Sequence, residues 1–436
     1  MTILRGLLGL AFFIGLAWLM SSDRKRFPIR VILGGLALQF GLAFLILEWD
    51  AGKGALDWLS KGVTTFLSFG EKGAEMVFGP LTGFFHDPSV EGEPPSAIQW
   101  FASYPYHLEA EARQGIQVAF ALKALPTIIY FSAVMAIFYH LGVMQRLIAL
   151  MARFMTWAMR VSGAESLSMA ANVFVGQTEA PLVVRPYISK MTRSELMALM
   201  TGGFATIAGS VLAVYIALLG EDYAGHLLAA GFMSAPAAFV MAKIMVPETE
   251  TSATAGIVEI STEKTSANIL DAAADGTSTG LKLYLNVMAM LIAFVAMVAL
   301  VDWGLGAIVV AGDPLSLSRV FGWIFSPVAW MMGVTWEDCQ SFGALLGTKV
   351  GVNEFVAFKD MAGMEHEGAM SKRSLKMAAY ALCGFANFAS VGIQIGGISP
   401  LAPERRAEIS RLALRAMIGG AFASWMTATV AGMFIT

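Results

Sequence analysis

Residues 172–188 read NVFVGQTEAPLVVRPYI, and residues 351–355 read GVNEF. Each lies inside a segment apolar enough to enter a bilayer, 164–190 and 338–368, and each puts a carboxylate near the middle, Glu179 and Glu354. A charge at membrane depth costs about 2.5–3.5 kcal/mol on the insertion scale, so such residues line a cavity or pathway. Non-helical backbone survives at that depth only where protein or water satisfies it. Two half-helices meeting at a polar tip meet both demands. Both segments therefore read as re-entrant hairpins, the first entering from the cytoplasm and the second from outside. The competing reading makes Glu179 a structural partner of Arg185 and Glu354 one of Lys359.

Composition agrees with lipid as the solvent. Of 436 residues, 57% are hydrophobic and 14% charged, with a mean hydropathy of +0.66. A soluble domain carries roughly 25% charged residues. The net charge of −3 gives no reason to expect a nucleic-acid partner. Cys339 and Cys383 form no metal or disulfide pattern, and the five histidines are scattered. Residues 2–20 resemble a signal peptide, but the basic cluster Arg24-Lys25-Arg26 follows the apolar run, so a retained first helix is expected.

Segments of about 20 apolar residues, enough to cross, fall near 2–20, 30–49, 117–141, 195–219, 224–246, 281–311, 375–397 and 410–434. Eight spans plus two hairpins make an all-α polytopic membrane protein. Basic residues set orientation. Ser21 to Arg30, Arg146 to Arg160, Arg185 to Arg193 and Arg405 to Arg411 read as cytoplasmic, and acid-rich 50–116 as external. Both termini then lie outside, and Lys372, Arg373 and Lys376 violate the pattern. Residues 142–161 read as a helix on the cytoplasmic interface, and 55–80 and 318–333 as similar helices on the outer side. Residues 248–279 read as a mobile cytoplasmic linker, and 86–113 as an external insertion.

An internal repeat is visible. The fourth span contains GFATIA at 203–208 and the seventh GFANFA at 384–389. Each follows a glutamate-bearing hairpin and precedes one further span, and the two units begin on opposite sides of the membrane. An inverted repeat with interrupted helices is a transporter signature, with the site at the midplane. Gln177 supplies amide donors and an acceptor, Glu179 and Glu354 accept, and Thr206, Asn387 and Ser390 are mixed. That set suits a neutral solute with hydroxyls and a heterocycle or amide, and suits a phosphate poorly. Asn172, the Thr206 hydroxyl and carbonyls freed where helices unwind suit a small hard cation such as sodium.

With SSDRK at 21–25, ALPTIIYFSAVM at 124–135, GQTEAPLVVRPYI at 176–188, VNEFVAF at 352–358 and GFANFAS at 384–390, the sequence resembles the concentrative nucleoside transporters over most of its length. The resemblance implies eight spans and two hairpins assembled as a homotrimer in a bacterial inner membrane, with uridine, cytidine and adenosine as the substrate class. It implies nucleobase contacts for Gln177, Thr178 and Glu179, packing on the base for Val211, and a pocket wall at Phe385. It implies ribose contacts for Glu354, Asn387 and Ser390, and a sodium site at Asn172, Thr206 and the carbonyls of Val175 and Ile207. Sodium is the coupling ion, and no other cofactor is expected. By the same resemblance 1–141 and 281–311 form a scaffold, with an external interfacial helix closing 281–333. Residues 142–246 and 334–436 form two halves of a transport domain moving like an elevator, and 247–280 link them. A proton-coupled nucleoside carrier is the nearest alternative, although proton-coupled relatives lack the asparagine matching Asn172. An intramembrane enzyme would need a GxSxG serine or HExxH, both missing, and a channel would not accumulate solute uphill.

Overall fold

The computed structural model describes residues 2–78, 125–255, 266–310 and 312–435. The first part of the expected third span, and the insertion at 86–113, lie outside them. The chain is mostly helical. The helices are α1 Thr2–Leu19, α2 Ile29–Leu47, α3 Asp50–Phe78, α4 Thr127–His140, α5 Val143–Met159 and α6 Gly163–Asn172. Two single turns follow, α7 Ala180–Val183 and α8 Arg185–Ile188, then α9 Arg193–Ala205, α10 Gly209–Leu219 and α11 Ala224–Met245. The remainder are α12 Ile269–Leu305, α13 Leu317–Met331, α14 Cys339–Gly351, α15 Glu354–His366, α16 Lys372–Leu382, α17 Phe388–Ile398 and α18 Arg406–Phe434. A two-residue strand pair, Val309–Val310 with Asp313–Pro314, departs from the all-α expectation. Among the described residues, five helices are long and apolar enough to cross a bilayer, or six if the bent pair α4–α5 is one span.

Local chemistry explains where helices start and stop. Ser162 with Glu165 and Thr192 with Glu195 build reciprocal capping boxes at the starts of α6 and α9. Asn353 caps α15 and Asn387 caps α17 through their side-chain oxygens. Gly142, at φ 77, supplies the left-handed turn that lets α5 leave α4 at 78°. The helix α5 buries Met144, Ile148, Ala152, Met155 and Met159, a stripe at helical spacing, and exposes Leu150, Phe154 and Trp157.

Burial separates inner from outer helices. The apolar windows of α11 and α18 are each 83% buried, whereas that of α12 is 6% buried. The helices α9, α11, α16 and α18 pack on one another and form the core. Two corrections to the sequence reading follow. First, α12 begins at Ile269, capped by Asn268, so the second half of the expected linker is helix. Its buried residues there, Ala272, Gly276, Gly280 and Tyr284, recur every four positions. A Cβ on Gly276 or Gly280 would stand 2.6 Å from Ser132 O or 2.7 Å from Ile129 Cα, so these glycines let the backbone of α12 lie against α4. Second, α1 packs on α18 and α2 packs on α11, rather than grouping with α4 and α12. Gln39, fully buried in α2, donates to Met233 O in α11 and to Thr427 Oγ1 in α18.

Loops sort to two ends. At one end Ser22 N–H bonds Met245 O, Arg26 bonds Glu248 O, and Arg405 bonds the carbonyls of Ile188 and Met191. At the other, Arg5 bonds Val334 O, and Arg373 bonds the carbonyls of Gly333, Gly432 and Ile435. The Arg373 charge is thus spent on the carbonyl end of α18, which explains one exception to the charge pattern. Residues 248–255 are pinned to the first end: Thr254 accepts from Gly163 and Ala164, and Ser252 donates to Glu195.

Candidate functional site

The fourth expected span is broken at 206–208, between α9 and α10, and the seventh at 383–387, between α16 and α17. The two breaks touch. Gly384 has φ +148, and a Cβ there would stand 2.8 Å from Phe204 O and 2.9 Å from Ala205 O. Only glycine allows this backbone-to-backbone approach, so GFATIA and GFANFA meet where both helices unwind.

Around this crossing the chain gathers polar side chains. Glu354, buried at the first turn of α15, accepts from Tyr215 OH at 3.0 Å through Oε1. Its Oε2 accepts from Asn387 Nδ2 at 2.7 Å. Asn387 Oδ1 in turn accepts from Ser390 N at 2.8 Å, so Asn387 caps α17 and holds the carboxylate with one side chain. Each carboxylate oxygen keeps lone-pair capacity for another donor. Behind this group lies Lys349, fully buried in α14, donating to Ala381 O at 2.8 Å and Ser424 Oγ at 2.7 Å. Neither ion pair of the competing reading is present among the described residues: Glu354 is not bridged to Lys359, nor Glu179 to Arg185.

Residues 177 and 178, the tip of the first expected hairpin, reach the same helices. A Cβ on Gly203 of α9 would lie 2.9 Å from Gln177 Cβ, and one on Gly397 of α17 would lie 2.8 Å from Thr178 Cγ2. Gln177 is buried, and its Oε1 has no hydrogen-bond partner. Glu179 is exposed and accepts from its neighbour Thr178 Oγ1 at 3.0 Å. Glu354 is thus bonded at the start of α17, Thr178, the neighbour of Glu179, lies near its end at Gly397, and no hydrogen bond joins the two carboxylates. Val211 is buried on α10, and Phe385 lies half-buried in the second break.

The expected cation ligands also converge on α9. Asn172 ends α6, and its Nδ2 donates to Ser168 O at 3.0 Å while its buried Oδ1 has no partner. A Cβ on Gly202 would lie 3.3 Å from that Nδ2. The Thr206 hydroxyl donates to Gly202 O at 3.0 Å, leaving its lone pairs free. Phe174 O accepts from Gly209 N, which ties the two unwound segments together, while no hydrogen bond among the described residues ends on the carbonyls of Val175 or Ile207. The carbonyl ends of α6 and α9 add partial negative charge. Neutral oxygens with unspent lone pairs fit a hard monovalent cation.

One site residue and one buried neighbour escaped the sequence reading. Tyr215 lies four residues after Val211 on α10, a spacing that could have flagged its hydroxyl. Gln394 lies four after Ser390 on α17, fully buried, with Nε2 donating to Met200 O at 3.0 Å.

Comparison with known proteins fits this arrangement. Residues 226–432 match the profile "Na+ dependent nucleoside transporter C-terminus", residues 8–81 its N-terminal counterpart, and 121–222 a "Nucleoside recognition" profile. A transporter of Haemophilus influenzae is 42% identical, covering 100% of this chain and 98% of its own. The chain belongs to the concentrative nucleoside transporter family. Within that family, the rat sodium/nucleoside cotransporter 1 is 38% identical over 98% of this chain, which spans 63% of the rat protein. The inward-facing, substrate-bound structure of CNTnw is 38% identical, with a TM-score of 0.87 over 100% of this chain and 98% of that one. As a member of a concentrative nucleoside transporter family, the chain is a membrane carrier and not an enzyme.

Proposed function

We propose that this protein is a sodium-coupled symporter that imports nucleosides across a bacterial inner membrane by an elevator-type alternation. The observation that carries the reading is the Glu354 carboxylate, buried between Tyr215 and Asn387 where two broken helices cross. A carboxylate held this way is oriented to accept from ribose hydroxyls. Gln177, Thr178 and Glu179 offer the amide, hydroxyl and carboxylate for a base edge, with Val211 and Phe385 as apolar walls. Uridine, cytidine and adenosine are the substrate class.

Sodium would be cargo at Asn172 Oδ1, the Thr206 hydroxyl and the Val175 and Ile207 carbonyls. The unpartnered Asn172 Oδ1 favours a bound cation over proton coupling, because a proton needs no ring of neutral oxygens. The helix pair α4–α12 with α3 would be the stationary scaffold and trimer contact. The exposed apolar face of α12 suits it to that place. The repeats, with α1 and α2 packed on them, would move. The end carrying Arg24, Lys25, Arg26 and Arg405 would face the cytoplasm, and both termini the other side.

Two outcomes test the assignments. Asn172→Ala is expected to raise the sodium concentration for half-maximal uptake several-fold with little change in nucleoside affinity at saturating sodium. An unchanged sodium curve removes this ligand. Glu179→Gln replaces a charged acceptor by a neutral amide, worth about 1 kcal/mol or roughly fivefold. The ratio of uridine to adenosine affinity should shift by that order, and an unchanged ratio places Glu179 away from the base.

A further inference from the structure

The last turns of α9 stand between the two sets of ligands. Gly202 and Gly203 are neighbours on a helix with 3.6 residues per turn, so their Cα–H directions differ by about 100°. Gly202 faces α6, where a Cβ would meet Met169 Sδ at 2.7 Å and Asn172 Nδ2 at 3.3 Å. Gly203 faces the other way, where a Cβ would meet Gln394 Nε2 at 2.6 Å and Gln177 Cβ at 2.9 Å. One dipeptide therefore touches the proposed sodium ligand on one side and the hairpin tip on the other.

Gln394 is the side chain that ties these parts together. It is carried on α17, whose N-cap Asn387 holds Glu354. Its Nε2 donates to Met200 O on α9. Its Oε1 is fully buried and unpartnered, as is the Oε1 of the adjacent Gln177. A buried amide carbonyl without a donor is costly, and Gln177, whose Cβ meets the same face of Gly203, carries an amide donor. The two amides are chemically complementary: Gln394 offers an acceptor and Gln177 a donor.

We infer that Gln394 is a positioning residue that couples sodium occupancy to the nucleobase end of the site. A cation on Asn172 and Thr206 fixes the last turn of α9. Gln394, bonded to Met200 O, is fixed with it, and its free carbonyl then receives the Gln177 amide and sets the hairpin tip against the base. The inference rests on the sodium-coupled reading above. It adds a residue that touches neither ligand.

The test is a linkage measurement on the purified full chain. Labelled uridine binding is titrated in sodium chloride and in choline chloride at equal ionic strength, for wild type and Gln394→Leu. Coupled sites commonly change each other's affinity by about 5–150-fold. Wild type is expected to show a ratio of dissociation constants in that range. Gln394→Leu should collapse it below about twofold, with affinity in choline retained. A ratio kept at the wild-type value, including equal weakening in both salts, overturns the inference. A wild-type ratio of one instead overturns the sodium reading itself. Should the leucine variant not fold, wild-type hydrogen exchange decides. Sodium without nucleoside must slow exchange at 176–180 and across the first turns of α17, and protection confined to 172–175 and 200–207 rejects the coupling.

Discussion

Glu354→Gln is expected to abolish nucleoside uptake while leaving the protein folded and inserted. The side chains have the same shape, so packing is preserved. The chemistry is not. Tyr215 and Asn387 both point donors at the carboxylate, at 3.0 and 2.7 Å. A glutamine amide presents one oxygen and one NH2 group, so only one of these donors keeps its acceptor, and Tyr215 is left to accept from the amide instead of donating to a charge. The remaining oxygen is neutral and a weaker acceptor for ribose hydroxyls. A hydrogen bond to a charged group is worth about 1.5–3 kcal/mol, so losing one costs roughly 10- to 150-fold in affinity, and losing two stops measurable uptake. Labelled uridine uptake into proteoliposomes reads the effect. Wild-type uptake by the variant, at equal reconstituted amounts, would remove Glu354 from the site.

The second large effect concerns stability. Lys243 of α11 places Nζ 2.6 Å from Glu165 Oε2, with side-chain exposures of 5% and 2%. Lys243 also donates to Ser194 Oγ at 3.0 Å. Glu165 completes the capping box of α6 through Ser162 N at 2.7 Å, so this pair joins the start of α6 to the core. Removing one partner of a buried pair leaves an uncompensated charge and costs about 3–5 kcal/mol, whereas replacing both is often close to neutral. Lys243→Met should therefore lower the thermal midpoint in detergent markedly, and Lys243→Met with Glu165→Gln should recover most of the loss. A single variant as stable as wild type would show that the pair contributes nothing to holding α6 in place.

The sequence carried much of this in its polar exceptions. Glu179 and Glu354 stood out because lipid does not tolerate charge; the structure buries Glu354 at the start of α17 and leaves Glu179 exposed beside Thr178. The breaks at 206–208 and 383–387 were readable from the repeated GFA-x-x-A. Their mutual contact was not, because it depends on tertiary crossing and on Gly384 at positive φ. The start of α12 was missed for a specific reason. Ala272, Gly276 and Gly280 pack by small size, and a search for apolar periodicity passes over glycine and alanine. The placement of α2 against α11 and α18 involves Gln39, a polar residue within an apolar span, and partners nearly 200 and 400 residues away. Tyr215 and Gln394 were overlooked because a hydroxyl or amide in a membrane helix is inexpensive enough to pass as packing until its partner is known.

In the proposed cycle a sodium gradient drives nucleosides through the crossing of the two broken helices. Labelled uridine and adenosine uptake into proteoliposomes, with external sodium or with choline at fixed pH, decides whether it does. Accumulation above the external concentration with sodium, and equilibration at best with choline, is the expected result. Equal uphill accumulation in both salts would contradict it.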